Sequence, residues 1–186
     1  MKTIQILKTL INTLYILMLI TLGVAILFLI TLLFFADFLP FYLQGYRMLF
    51  SNLFSIKMFI GPSLIAINYL LFILAIFYLR KCINPLSKSD FYSVVLYKNL
   101  NKSGKLFTFI GVSTILIKII SALIMSSVMQ QIIPDLGNSL IIYLGIIISA
   151  FELTSVFLII IGLFFMMFSK SFENAKELQL ENDLTI

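Results

Sequence analysis

Lys118, Glu152 and Asn68 each interrupt a long apolar run, and their types give this chain its few places for chemistry. Two opposite charges in such surroundings can neutralise each other and fix the register of two helices. Alternatively, they can line a path for a proton, an ion or a small solute. Lys118 also has Thr114 and Ser121 within a turn of it, the makings of a Ser–Lys hydrolytic dyad. No oxyanion donor or second catalytic group accompanies them. Histidine is absent and Cys82 is the only cysteine, so an intramolecular disulfide, a His/Cys zinc site and any Ser-His-Asp or Cys-His arrangement are ruled out. There is no GxGxxG or GxxxxGK[ST] pattern to support nucleotide chemistry. The expectation is a chain that is not an enzyme and carries no cofactor or metal.

These residues must be positioned by helices in lipid. Of the 186 residues, 61% are hydrophobic and 11% charged, and the mean hydropathy is +1.13. A soluble domain of this length cannot bury so much apolar surface, and 19 Phe with 8 Tyr exclude a solvated coil. Four spans are expected, at about 9–36, 58–79, 106–130 and 139–169. The first is too long for a signal peptide and lacks a small-x-small cleavage pattern before Asp37, so it is read as an uncleaved span. The third carries Lys118. Its apolar residues contribute roughly −4 to −8 kcal/mol to insertion against about +3 for one central lysine, so it still inserts. The fold class is therefore an all-α integral membrane four-helix bundle forming a single membrane domain over residues 1–186.

Lysine and arginine are distributed unequally. Lys2, Lys8, Arg80, Lys81, Lys88, Lys98, Lys102, Lys105, Lys170 and Lys176 fall on one side of the spans, and only Arg47 and Lys57 on the other. Positive residues stay cytoplasmic, which puts both termini and the central segment in the cytoplasm of a bacterial inner membrane. The aromatic connection from Asp37 to Lys57 reads as interfacial rather than as a ligand-binding loop. In the central segment, Asn84-Pro85-Leu86-Ser87 reads as a turn, with Ser89 or Asp90 as helix N-cap. A short amphipathic helix then occupies the 87–105 segment, burying Phe91, Val95, Leu96 and Leu100 and turning Lys98, Lys102 and Lys105 toward anionic lipid. Asn101 and Gly104 are expected to end it before the third span. Direct nucleic-acid binding is not expected, because a few tethered lysines are explained by the bilayer.

The last two spans are expected to form a tight hairpin turning near Asp135, between Gln131 and Asn138. Lys118 and Glu152 are equally distant from that turn, so antiparallel helices place them at one depth, near the bilayer centre. An unpaired charge there costs about 2.5–3.5 kcal/mol, and pairing removes most of it. Gly111, Thr114, Lys118, Ala122 and Met125 share one stripe, and Gly145, Ser149, Glu152 and Ser155 or Val156 share another. Asn68 could complete the polar cluster. The structural role is preferred, since transporters usually show repeated halves and broken helices and no repeat is visible here.

The tail, a helix-forming stretch from Ser171 that closes in Glu181-Asn182-Asp183-Leu184-Thr185-Ile186, resembles a bacterial family of four-span membrane proteins, Domain of Unknown Function 2975. Asn84-Pro85-Leu86 is similar to that family's Asn-Pro-Phe turn, departing at the third position, and Gly104-Lys105-Leu106 also matches. The resemblance implies no established activity. It implies a small helix-turn-helix regulator as neighbour and partner, by analogy alone. Together these readings favour a regulatory or scaffolding membrane protein acting through Lys98, Lys102 and Lys105 and through the acidic tail residues Glu177, Glu181 and Asp183. The alternative is a small transporter or channel, as a homo-oligomer, using Lys118, Glu152 and Asn68.

Overall fold

The computed structural model describes residues 2–34, 56–87, 93–132 and 152–184. They form four helices: α1 Lys2–Phe34, α2 Ile56–Ser87, α3 Val94–Ile132 and α4 Leu153–Leu184. No strand occurs among the described residues. All four are long and apolar enough to cross a membrane. The aromatic outer connection, the turn near Asp135, the Ser89/Asp90 cap and the first part of the fourth span lie outside the described residues.

Two local expectations are corrected. Asn84-Pro85-Leu86-Ser87 is not a turn but the last helical turn of α2, which carries both Pro62 and Pro85. Residues 94–105 are not a separate helix on the leaflet. They are the first three turns of α3, which runs 39 residues without a break at Asn101 or Gly104. Its first turn closes on the Ser93 carbonyl, which accepts from the Leu96 and Tyr97 amides. The apolar residues of this stretch explain the difference. Leu96 and Leu100 are buried against Cys82 of α2, with Phe165 and Phe172 of α4 around them. Phe91 lies outside the described residues, and of the described residues on the expected apolar face only Val95 is exposed. A helix whose greasy side is already covered by protein has no face left to lay on lipid.

Packing proceeds in chain order, α1 on α2, α2 on α3 and α3 on α4. Among the described residues α1 and α4 share no extended contact, so the arrangement is an open series rather than a closed ring. The tightest seam is α3 with α4. Facing positions step in opposite directions seven residues at a time: Tyr97 opposite Ser169, Gly104 opposite Gly162, Gly111 opposite Ser155. A seven-residue repeat is the signature of left-handed helix packing, and small residues on it let the backbones close in. A Cβ on Gly162 would stand 2.7 Å from the Gly104 carbonyl oxygen and 2.6 Å from the Thr108 nitrogen. One on Gly111 would stand 2.7 Å from the Ser155 carbonyl oxygen. The glycines are there for approach, and Gly104 is no helix terminator.

Because lipid offers polar groups no alternative partner, each interface also carries hydrogen bonds. Tyr69 donates to the Met18 carbonyl (3.0 Å) between α2 and α1, and its hydroxyl also meets that of Thr21. Ser103 donates to the Ala75 carbonyl (3.1 Å) between α3 and α2. Ser169 donates to the Tyr97 carbonyl (2.7 Å) between α4 and α3. The main core, from Ile11 and Met18 through Ile73, Ala75 and Ile76 to Phe107 and Ile110, threads these same contacts.

Gly162→Ala should therefore lower stability by about 1–3 kcal/mol through overpacking. Gly23→Ala, where a Cβ meets nothing within 4 Å, should stabilise by up to about 1 kcal/mol. Thermal melts of the detergent-solubilised variants check both; equal responses would show that the seam is not close-packed.

Candidate functional site

The polar residues singled out from the sequence sit along the α2–α3–α4 faces. Asn68 lies midway along the apolar stretch of α2 between Lys57 and Arg80. Its amide donates to Thr114 Oγ1 (3.2 Å), and its carbonyl oxygen accepts from Ser113 Oγ (2.7 Å). The Thr114 hydroxyl donates in turn to the Ile110 carbonyl at 2.7 Å, while Ser113 Oγ, 3.0 Å from that same carbonyl, has one proton to share between it and Asn68. Asn68 is thus held at both ends of its side chain, which suits a group that could not be left unpaired in lipid.

One turn further along α3, Lys118 forms an ion pair with Glu152, whose carbonyl caps the start of α4 by accepting from the Ser155 and Val156 amides. The pair and Asn68 are neighbours on one polar track, and the ion pair crosses from α3 to α4 while the amide crosses from α2 to α3. The register of the pair against α2 follows from its neighbours. Lys118 lies four residues, about 6 Å, beyond the Asn68–Thr114 layer. The following Ser121 faces Gly61, four residues from Lys57: a Cβ on Gly61 would be 3.6 Å from the Ser121 hydroxyl. Relative to α2, then, the pair lies between the middle of the apolar stretch and its Lys57 end. Counting from the expected hairpin turn set the two charges level with each other, and the two side chains do meet, but it said nothing of their neighbour's register.

Ile65, Asn68, Thr114, Ile117, Lys118, Ser121 and Ala122 line an open cleft of about 670 Å³. The ammonium on its wall is paired with Glu152, and Asn68 and Thr114 are already hydrogen-bonded to each other. Thr114 Oγ1 is occupied by Asn68 and by the Ile110 carbonyl, which leaves it poorly placed as a nucleophile for Lys118. No three His, Cys, Asp or Glu side chains converge on a metal-sized site among the described residues.

At the opposite end of α3, Lys98, Lys102 and Lys105 are exposed. The structure does not bring the acidic tail residues to them. Ser169 faces Tyr97, so Glu177 lies about 12 Å further along α4, and Glu181 and Asp183 further still. Glu173 instead pairs with Lys170 one turn back on its own helix, at 3.0 Å. Of the tail's apolar residues, Phe172 docks against Cys82, Leu96 and Leu100, whereas Leu178 and Leu184 are exposed.

Ser103, Ser169 and Tyr69 were missed as interhelical donors. The seven-residue spacing from Ser155 through Gly162 to Ser169 is the signal that could have found one of them. Among the described residues four helices are long and apolar enough to cross a membrane, the helical content of a multi-pass membrane protein. No family model, no curated protein and no solved structure matches the chain.

If the ion pair is structural, Lys118→Met and Glu152→Gln should each lower stability by about 1–3 kcal/mol, and the double variant should lose clearly less than the sum. Melts of the four proteins in detergent complete the cycle, and strictly additive losses would remove the coupling.

Proposed function

We propose that the chain is a regulatory or scaffolding protein of a bacterial cytoplasmic membrane, with both termini and the start of α3 on the cytoplasmic side. The observation that supports this is the continuation of α4 past its partners. It runs unbroken from the apolar stretch at Leu153 to Leu184, whereas α3 begins at Val94, level with the residues just after Ser169. Roughly eleven residues therefore project beyond α3, about 16 Å of helix. They bear Glu177, Glu181 and Asp183 on a stretch where Leu178 and Leu184 are left uncovered. A rigid acidic helix with unpartnered leucines is a handle for another protein's basic, apolar groove.

The orientation rests on alternation of the helices. Antiparallel neighbours gather Lys2, Lys8, Arg80, Lys81, Lys98, Lys102, Lys105, Lys170 and Lys176 at one end, the arrangement that the positive-inside rule retains in the cytoplasm. The resemblance to the Domain of Unknown Function 2975 family supports the same topology and a helix-turn-helix regulator as partner, by analogy. A second reading, a small-solute path, is favoured by the open cleft beside Asn68 and Lys118.

Deleting residues 177–186 should abolish capture of a cytoplasmic partner from detergent extract while leaving the four helices inserted. Neutralising Glu152 should leave capture intact. Retained capture by the truncated chain would end the tail's role, and a reporter at Ile186 that is active only outside the cytosol would end the orientation if it gave signal.

A further inference from the structure

At the end where α1 and α3 begin and α2 closes, three aromatic rings form a row. Tyr15 of α1 meets Phe77 of α2 with centroids 6.2 Å apart, and Phe77 meets Tyr78 at 5.8 Å. Each ring carries a cation. The Arg80 guanidinium lies 5.3 Å from the Tyr15 centroid, Lys81 Nζ 4.4 Å from Phe77, and Lys102 Nζ of α3 5.3 Å from Tyr78. All three cations are exposed. Among the described residues the carboxylates in ion pairs are Glu152 and Glu173, and neither pairs with them.

Long basic side chains on a surface normally sweep a wide volume. Here each lies over a half-buried ring and the three rings adjoin one another, which restrains the three charges on neighbouring rings. Like charges held together without a counter-charge form a site for an anion. Two features point to its source. The row lies where the apolar stretch of α2 ends at Leu79, the depth at which headgroups meet protein. Below Lys81 and Phe77 on the same face of α2, at helical spacing, come Leu74, Leu70 and Ile67, all exposed. A charged group with an apolar stripe beneath it matches a phosphate with an acyl chain and does not match a free phosphate.

We propose that Arg80, Lys81 and Lys102 bind the phosphate of an anionic phospholipid whose acyl chain lies along Leu74, Leu70 and Ile67. The site needs only the four membrane helices and stands apart from the role of the tail.

The test uses the full chain in neutral detergent, melted with dioleoyl phosphatidylglycerol, with dioleoyl phosphatidylcholine, or with inorganic phosphate. Phosphatidylglycerol at about a hundredfold excess over Kd should raise Tm by roughly 5 °C, and the other two by no more than about 1 °C. The variant R80Q/K81Q/K102Q should lose the shift. K2Q/K8Q/K176Q, with the same loss of charge elsewhere, should keep it, as should the charge-preserving R80K/K81R/K102R. Should the first variant not melt cooperatively, the single changes K81Q and K102Q should each weaken the shift several-fold. An equal response to phosphatidylcholine would reduce the site to acyl-chain contact. An equal response to inorganic phosphate would make the ligand a soluble one, and an undiminished shift in the glutamine variants would remove the three residues from it. Any of these overturns the proposal.

Discussion

The approach of α3 and α4 through Gly104, Gly111 and Gly162 is the constraint on which the other features depend. In lipid there is no hydrophobic gain from pressing two apolar helices together, because the acyl chains are equally apolar. Association must come from dispersion at close range and from hydrogen bonds that lipid cannot replace. Glycine admits both by bringing backbones within reach. With Gly162 against Gly104 and Thr108, a sliding of either helix by one residue would drive side chains into backbone. That fixed register sets Ser169 against the Tyr97 carbonyl at one end and Glu152 against Lys118 at the other. It also determines how far α4 extends past the start of α3.

The other two interfaces are looser and depend more on single polar contacts. Between α2 and α3, Ala75 and Ser103 are fully buried and joined by one hydrogen bond, and Cys82 donates to the Leu96 carbonyl at 3.6 Å. Those contacts lie near the basic end of the helices, while Asn68 serves the middle. Between α1 and α2 the polar link is Tyr69 with Met18 and Thr21. Among the described side chains of α1 only Ile11 and Met18 are buried, and a cleft of about 770 Å³ runs along its Gln5, Thr9 and Thr13 face. The order of packing follows the order of small residues. α3 has two glycines and several hydroxyls at its contacts, while α1 has large aliphatic side chains that face outward.

The charge map made the spans legible, because a bilayer leaves no doubt about where lysines can reside. It also made the Lys118–Glu152 meeting legible, since equal separation from one turn places two residues level on antiparallel helices. What it could not supply was the lateral neighbour. The depth of the pair depends on how α2 sits beside α3, and that is set by Asn68, Ala75 and Ser103, which look unremarkable along the chain. Gly104 was misread for a related reason. Beside Asn101 and Lys102 it has the company of a helix terminator, yet glycine serves equally where a second backbone passes close. Distinguishing the two uses requires the facing segment, here Gly162, fifty-eight residues on. The proline at 85 was likewise taken for a turn residue, although a helix about to end has little hydrogen bonding left for it to disrupt.

The same geometry explains why the two ends of the assembly differ in character. At the end near Lys118, the ion pair with Glu152 cancels one charge of each sign among the described residues. At the other end, Arg80, Lys81 and Lys102 lie over rings and, among the described residues, none of them is in an ion pair, while the acids of the tail are carried away from them by the rise of α4. Had the α3–α4 register been shifted by between three and four turns, Glu181 and Glu177 would lie beside Lys98 and Lys102 and neutralise them. The glycine seam therefore holds the acids of the tail apart from the lysines at the start of α3.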